Sequence, residues 1–323
     1  MEADSIPVLV LFGPTASGKT SILLELFNSS NSVKGEVVSA DSMQVYKGMD
    51  IGTAKPTPEE RKTLPHHLID IREPSQQFNA GDFVRLADEA CAQIASRGNL
   101  PVVSGGTGFY LKNFIMGLSE APPSNLETRE QLKIQLKEKG TASLRNELAL
   151  CDPLSAGIIH ENDEYRMLRA LEVYRVCGKP LSSFKVKSRI RDCGYRFTII
   201  GLSRSRDELY SRINQRCDAM FRGGLAEEVR ALNMKGYTPH DPGLRAIGYR
   251  EFFTEDTDES DETGQKSGRW RLSQDIDGVK NLVAQNNRRY AKRQITFFAG
   301  IPDVQWIEAD NKEAIRKIKS MIR

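Results

Sequence analysis

The sequence predicts an α/β fold: a parallel sheet with helices on both faces, interrupted by a mostly helical insertion. Three observations predict it. An apolar run, Pro7 to Phe12, breaks at a glycine-containing turn and gives way to helical periodicity over residues 20–27. Strand-like and helix-like segments then alternate as far as Ser104. From Ala121-Pro122-Pro123 to Gly194 the pattern is helical with no convincing strand, and Arg196 to Gly201 restores one.

The elements follow in order. Pro7 to Phe12 reads as a buried strand. A second strand, Glu36 to Ala40, ends at Asp41, and a third, His67 to Ile71, ends near Pro74. Residues 82–97 form an amphipathic helix and lead into a strand, Leu100 to Ser104, followed by Gly105-Gly106-Thr107-Gly108. Helices dominate from Arg206 onward. Residues 255–262 hold six acids and no base, the composition of a solvated loop. The expected division is a core in two parts, residues 1–120 and 195–323, around an insertion at 121–194.

Composition removes several classes. At 323 residues the chain is long enough to bury a core without disulfide staples. Five Cys with no Cys-x-x-Cys argue against a disulfide framework and a thiolate metal site, and they suit a reducing cytosol. With four His, an imidazole metal centre is disfavoured; His66 and His67, adjacent on a strand, point to opposite faces. No apolar run approaches the roughly 18 residues of a membrane span. The acidic start, Met1-Glu-Ala-Asp, lacks the basic region of a signal peptide, so a cytoplasmic protein is expected. A net charge of +3 decides nothing by itself.

Gly13-Pro14-Thr15-Ala16-Ser17-Gly18-Lys19-Thr20 fits the phosphate-loop pattern G-x-x-x-x-G-K-[ST], with a strand before it and a helix after it. The core is therefore P-loop NTPase-like. Glycines let several N–H groups point at one anion, and the helix N-terminus adds partial positive charge. Lys19 supplies a full charge, and the Thr20 hydroxyl can hold Mg²⁺. Such a loop specifies a polyphosphate or pyrophosphate without saying which. Of the strands that could supply a partner acid, Val37-Val38-Ser39-Ala40-Asp41 places it best. Asp41 is thus a candidate metal-side carboxylate or general base.

The segment Ser39-Ala-Asp41-Ser-Met-Gln44-Val-Tyr-Lys-Gly-Met-Asp-Ile-Gly-Thr-Ala-Lys55-Pro56, taken with the phosphate loop, resembles the tRNA dimethylallyltransferases. Further blocks agree: Pro65-His-His-Leu-Ile-Asp70, Gly105-Gly-Thr-Gly-Phe-Tyr110, Asn162 to Val173, Ala246-Ile-Gly-Tyr-Arg-Glu251 and Tyr290-Ala-Lys-Arg-Gln294-Ile-Thr-Phe297. The resemblance runs in order over residues 7–300.

That resemblance implies transfer of a dimethylallyl group from dimethylallyl diphosphate to N6 of the adenosine 3′ to the anticodon, in tRNAs reading codons that start with U. Diphosphate is released and Mg²⁺ is required. The implied partner is the tRNA anticodon stem-loop, and the implied state is a monomer. Residues 13–20 would hold the donor diphosphate, so ATP hydrolysis is not expected. Asp41 would take the N6 proton. Ser42, Met43 and Gln44, with Asp41, would contact the target nucleotide. Thr107 and Arg129 match positions tied to catalysis and tRNA contact, and Arg216 matches one serving the diphosphate, with Arg212 a turn away on the same face. Further tRNA contacts fall on Tyr165, Arg166, Met167, Leu168 and Arg169, on Arg245, Gly248, Tyr249 and Arg250, and on Lys292, Arg293, Gln294 and Thr296. Longer eukaryotic relatives often add a C-terminal zinc finger, which puts this chain with the shorter bacterial type.

The chemistry suits these residues. The leaving diphosphate gains charge that fixed N–H groups, Lys19, Mg²⁺ and an arginine can stabilise. The attacking amine becomes acidic as its bond to carbon forms, which calls for a carboxylate base. The adenosine must leave its stack, and Phe109, Tyr110, Tyr249 and Phe297 are candidate stacking partners. Two basic runs, Lys185 to Arg196 and Arg288 to Arg293, are candidate phosphate tracks. An isopentenyltransferase acting on AMP, ADP or ATP would share the phosphate loop and Asp41 but has no need of the insertion or of the Lys292 block. A P-loop nucleoside or nucleotide kinase would need an arginine-rich lid.

Overall fold

The computed structural model describes residues 5–28, 33–184, 190–191, 194–255, 270–309 and 311–322. The elements are β1 (Ile6–Phe12), α1 (Lys19–Leu26), β2 (Gly35–Ser39), α2 (Pro58–Thr63), β3 (His66–His67), α3 (Ala80–Ser96), β4 (Leu100–Gly105), α4 (Gly108–Met116), α5 (Leu126–Cys151), α6 (Pro153–Ile158), α7 (Glu164–Cys177), β5 (Tyr195–Ser203), α8 (Arg206–Arg222), α9 (Leu225–Met234), β6 (Phe253–Glu255), β7 (Trp270–Leu272), α10 (Ile276–Phe298), β8 (Gln305–Glu308) and α11 (Asn311–Met321). They form two compact units. One comprises residues 1–115 with 191–323, the other residues 116–190.

The first unit is built on a six-stranded sheet in the order β3-β2-β4-β1-β5-β8, with every neighbouring pair parallel. β1 lies inside the sheet, so its inner residues, Val8 to Phe12, are apolar and buried on both faces, as parallel strands require. Leu9, Leu11, Val102, Ile200 and Leu202 from the strands pack with Ile22 and Leu26 of α1 and with Ile315 and Ile318 of α11.

The register aligns the carboxyl ends of three strands: Phe12 lies beside Gly105, and Ser39 beside Ser104. The loops leaving β1, β2 and β4 therefore emerge together. Gly105 is needed there, because a Cβ on it would lie 2.1 Å from the Ala40 carbonyl oxygen.

At the other end of β2, the buried Glu36 carboxylate is held by Arg97, Asn99 and His67, at 2.7 Å to each. Burial alone would raise its pKa, but those hydrogen bonds prevail and hold it at about 2.

The structure corrects the sequence reading at three places. The third strand is only His66–His67, because Leu68 and Asp70 take positive φ (62° and 57°) and turn the chain out of the sheet. The carboxyl-terminal region, where helices were expected to dominate, also carries an edge strand, β8, and the antiparallel β6–β7 pair. Their three- and four-residue lengths give too little alternation to read. Of the acidic segment, Glu255 ends β6, and 256–262 lie outside the described residues.

The second unit is helical: α5, which is broken at Gly140 (φ 74°), then α6 and α7. Leu132, Leu144, Leu148, Ile159, Met167, Leu168 and Leu171 form its core.

Candidate active site

The β1–α1 loop wraps the N-terminus of α1. Gly18 sits at φ 97° and Ala16 at φ 63°, left-handed positions that let the loop close tightly. Asp, Asn, Ser or Thr side chains cap α2, α3, α5, α6, α7, α8 and α10, but α1 begins at Gly18 with no side-chain cap. Its first N–H groups therefore present their partial charge to whatever lies in front of them.

The loop is fixed from within by Lys19 and from outside by other elements. Lys19 Nζ donates to the carbonyls of Gly13 (2.9 Å) and Pro14 (3.1 Å). Arg212 Nε donates to Ala16 O (2.8 Å), and Arg204 Nε to Ser17 O (2.9 Å). The Thr15 N–H donates to Gln294 Oε1 at 2.8 Å.

In front of the loop lies a cavity of about 450 Å³ lined by Lys19, Thr20, Asp41, Gln44, Arg212 and Arg216, among others. Asp41 is the one carboxylate among the described lining residues. Its Oδ1 accepts the Met43 N–H at 2.9 Å, which fixes the turn after β2. The Thr107 hydroxyl accepts the Ser42 N–H (2.9 Å) and donates to Ser42 Oγ (3.2 Å). Gln44 Oε1 accepts from Ser39 Oγ at 2.9 Å. Burial lowers the pKa of Lys19 to about 8. The neighbouring Arg216 pushes it the same way, against the opposing pull of Asp41. Burial likewise lowers the pKa of Arg216, and Asp41 opposes it. Two buried cations, one of them depressing the other's pKa, beside an uncapped helix N-terminus are an arrangement suited to an anion.

In the helical unit, Arg129 reaches the fully buried Glu172 (3.1 Å) and stacks under the exposed Tyr165 ring, 4.7 Å from its centroid. Arg169 reaches the same carboxylate at 3.2 Å, and Arg166 is exposed.

A sequence model of the family described as IPP transferase matches residues 44–300. The protein named tRNA dimethylallyltransferase of Geobacter sulfurreducens is 42% identical over 301 residues, covering 93% of this chain and 91% of that one. The chain belongs to the IPP transferase family. Among solved structures, the tRNA delta(2)-isopentenylpyrophosphate transferase of Staphylococcus epidermidis matches with a TM-score of 0.65 at 35% identity, covering 98% of both chains. A eukaryotic dimethylallyltransferase acting on tRNA matches with a TM-score of 0.75 at 26% identity, covering 97% of this chain and 78% of that one.

In this IPP transferase the phosphate-loop residues, Asp41, Ser42, Met43, Gln44, Thr107 and Arg216 all belong to the first unit and gather around the loops above. Arg129 and Tyr165 to Arg169 belong to the second. Arg245, Arg250, Lys292, Arg293 and Thr296 are exposed. Four expected RNA-facing side chains are not at the surface. Met167 and Leu168 fill the helical core. Tyr249 is fully buried, its hydroxyl donating to Glu228 at 2.6 Å beside the buried Gly248. Gln294 is 4% exposed and spends its carboxamide inside the protein.

Of the stacking candidates, Phe109 and Phe297 are exposed, whereas Tyr110 is buried against Phe83, with its hydroxyl on Phe78 O. In the first basic run, Arg191 is held by Asp88 and packed over Phe114, while Lys185, Lys187 and Arg189 lie outside the described residues. Arg204 and Glu228 carry no local pattern that marks them, and Tyr290 stands only as the first residue of a matched block. Glu228 accepts the backbone N–H groups of Asp50, Ile51 and Gly52, and so fixes the segment after Gln44.

Proposed function

We propose that the chain transfers the dimethylallyl group of dimethylallyl diphosphate to N6 of the adenosine 3′-adjacent to the anticodon, in tRNAs reading codons that start with U. The products are N6-(dimethylallyl)adenosine and diphosphate. The observation that carries this reading is the common cavity: the phosphate loop, Lys19 and Arg216 line it together with Asp41, the one carboxylate among the described lining residues. Family membership supports the same chemistry.

The roles follow from charge. The backbone N–H groups of residues 13–20, with Lys19 and Arg216, hold the diphosphate and stabilise the charge it gains as the C1–O bond breaks. N6 attacks C1, and its proton passes to Asp41. Thr107 holds the turn that carries Asp41. The hard hydroxyl of Thr20, at the mouth of the cavity beside Lys19, fits a Mg²⁺ ligand completed by phosphate oxygens. Bound Mg²⁺ would offset charge on the leaving group.

Ser42 to Gln44 are assigned to the target nucleotide; the RNA beyond it is assigned to the helical insertion through Arg129, Tyr165, Arg166 and Arg169, and to Arg245, Arg250, Lys292, Arg293 and Thr296. Met167, Leu168, Gly248, Tyr249 and Gln294 act by shaping those surfaces. The reading carries a cytoplasmic monomer with it; among the described residues no helix is long and apolar enough to cross a membrane.

The test is transfer of label from radioactive dimethylallyl diphosphate, with Mg²⁺, into unmodified tRNA and, in parallel, into AMP and ATP. Label in tRNA alone is expected. Label in the mononucleotides, or in neither, would overturn the reading.

A further inference from the structure

Gln294 joins three elements that are remote in sequence. Its Oε1 accepts the Thr15 N–H of the phosphate loop at 2.8 Å, across 279 positions. Its Nε2 donates to Gly106 O at 2.7 Å, across 188 positions. The side chain is 4% exposed. Gly106 leaves no slack, since a Cβ there would lie 2.6 Å from Nε2. The orientation of the amide is fixed by chemistry: an N–H needs an acceptor and a carbonyl needs a donor. Tyr290, one turn earlier on α10, points its hydroxyl at the same Gly106 carbonyl at 3.4 Å. Gly106 precedes Thr107, whose hydroxyl holds Ser42 next to Asp41.

We infer that Gln294 is a positioning residue, a gauge block that sets the diphosphate loop at a fixed distance from the loop holding Asp41. Although it lines the cavity, both arms of its amide are spent on backbone groups rather than left for a substrate. It fixes the line between leaving group and base on which transfer depends. The inference rests on the reading above of the two loops as donor and base. Only one side chain type does this without strain: it must accept on one arm and donate on the other. Leucine or methionine can do neither. Glutamate keeps the acceptor toward Thr15 but turns a second acceptor toward Gly106 O, unless it carries a proton. A protonated glutamate reproduces the glutamine pattern.

The test is steady-state transfer to tRNA by the wild type, Gln294→Glu and Gln294→Met between pH 6 and pH 8, with melting temperatures to verify folding. At pH 8 both variants should lose about 10²-fold in kcat, with the KM for dimethylallyl diphosphate and for tRNA within about threefold of wild type, since misplacement of reacting groups costs rate rather than ground-state affinity. As pH falls to 6, Gln294→Glu should recover at least threefold relative to wild type, and Gln294→Met should not. The charged and titratable groups that line the same cavity are Lys19, Asp41, His66, Arg212, Arg216 and Tyr290, with Arg293 beside Gln294 on α10; burial lowers the pKa of Lys19 to about 8 and raises that of Tyr290 to about 12, and all of these groups are common to the three proteins, so the comparison is made as a ratio to wild type at each pH. If Gln294→Glu does not fold, Gln294→Met with Tyr290→Phe carries the kcat-against-KM comparison.

A loss confined to the tRNA KM would make Gln294 an RNA contact and overturn the inference. So would wild-type kcat in both variants, or a glutamate deficit that does not change with pH. Absence of transfer by the wild type would instead overturn the functional reading.

Discussion

Arg212 and Arg216 lie one helical turn apart on α8 and line the same cavity, yet they are in different states. Arg212 donates through Nε to the Ala16 carbonyl at 2.8 Å, whereas Arg216 has no hydrogen-bond or ion-pair partner among the described residues. One arginine is committed to the shape of the phosphate loop. The other offers its whole guanidinium to a ligand. Arg216→Gln is therefore expected to lower kcat by about 10²–10³-fold, the range for removing one donor to a developing anion, without lowering the melting temperature. Arg212→Gln should lower the melting temperature, because it leaves the Ala16 carbonyl without its donor. Kinetics and thermal melts of the two variants check the division; a reversal of their effects would refute it.

Lys19 makes donor binding depend on pH. Burial and Arg216 depress its pKa to about 8, so in the free protein its charge is half lost near that pH. A bound diphosphate favours the charged form and raises the pKa. Binding should thus take up a proton above pH 8, and affinity should be flat below about pH 7 and fall as pH rises through 8. Calorimetry at pH 8.5 in two buffers of different ionisation enthalpy measures the uptake directly. Lys19→Arg, which stays charged, should remove it.

Glu36 makes stability depend on acid. Its pKa of about 2 is depressed, so its contribution is present above the ordinary glutamate value of about 4.5 and is lost as pH falls from there toward 2. The size is on the order of 3 kcal/mol. Denaturant midpoints between pH 2 and 5 should show this slope in the wild type and a shallower one in Glu36→Gln.

The exposed cations of α10 predict salt dependence. Lys292→Ala and Arg293→Ala should each weaken tRNA binding and make log Kd less sensitive to log salt by about one unit, if each side chain contacts one phosphate. Fluorescence titrations at several salt concentrations measure the slopes, and slopes equal to wild type would exclude both side chains from phosphate contact.

Local features were legible in the sequence. The spacing of Gly13, Gly18, Lys19 and Thr20 is readable because the loop's shape is set within that same stretch, where Gly18 and Ala16 take positive φ and Lys19 Nζ bonds the Gly13 and Pro14 carbonyls. Asp41 was legible because it ends a strand that must be buried. Gln294, Tyr249, Met167 and Leu168, expected to face RNA, are buried for one reason. Their blocks resemble RNA-contacting segments, but which face of a helix or turn is buried is decided by what packs on it, and for Gln294 that partner lies 279 positions away. Arg204 escaped notice for the same reason: a side chain that braces a distant carbonyl leaves no local pattern. The third strand was overread because the positive φ of Leu68 and Asp70 falls on residues that carry no glycine signal.

The central proposed role is that of Asp41, the base that would face a bound diphosphate. Asp41→Asn is the most direct probe, since an amide oxygen can still accept the Met43 N–H and hold the turn. In a single-turnover reaction with labelled dimethylallyl diphosphate and saturating tRNA, the variant should bind both substrates as the wild type does and transfer label about 10²–10⁴-fold more slowly. Transfer at the wild-type rate would contradict the assignment of Asp41 and, with it, the reading of the cavity.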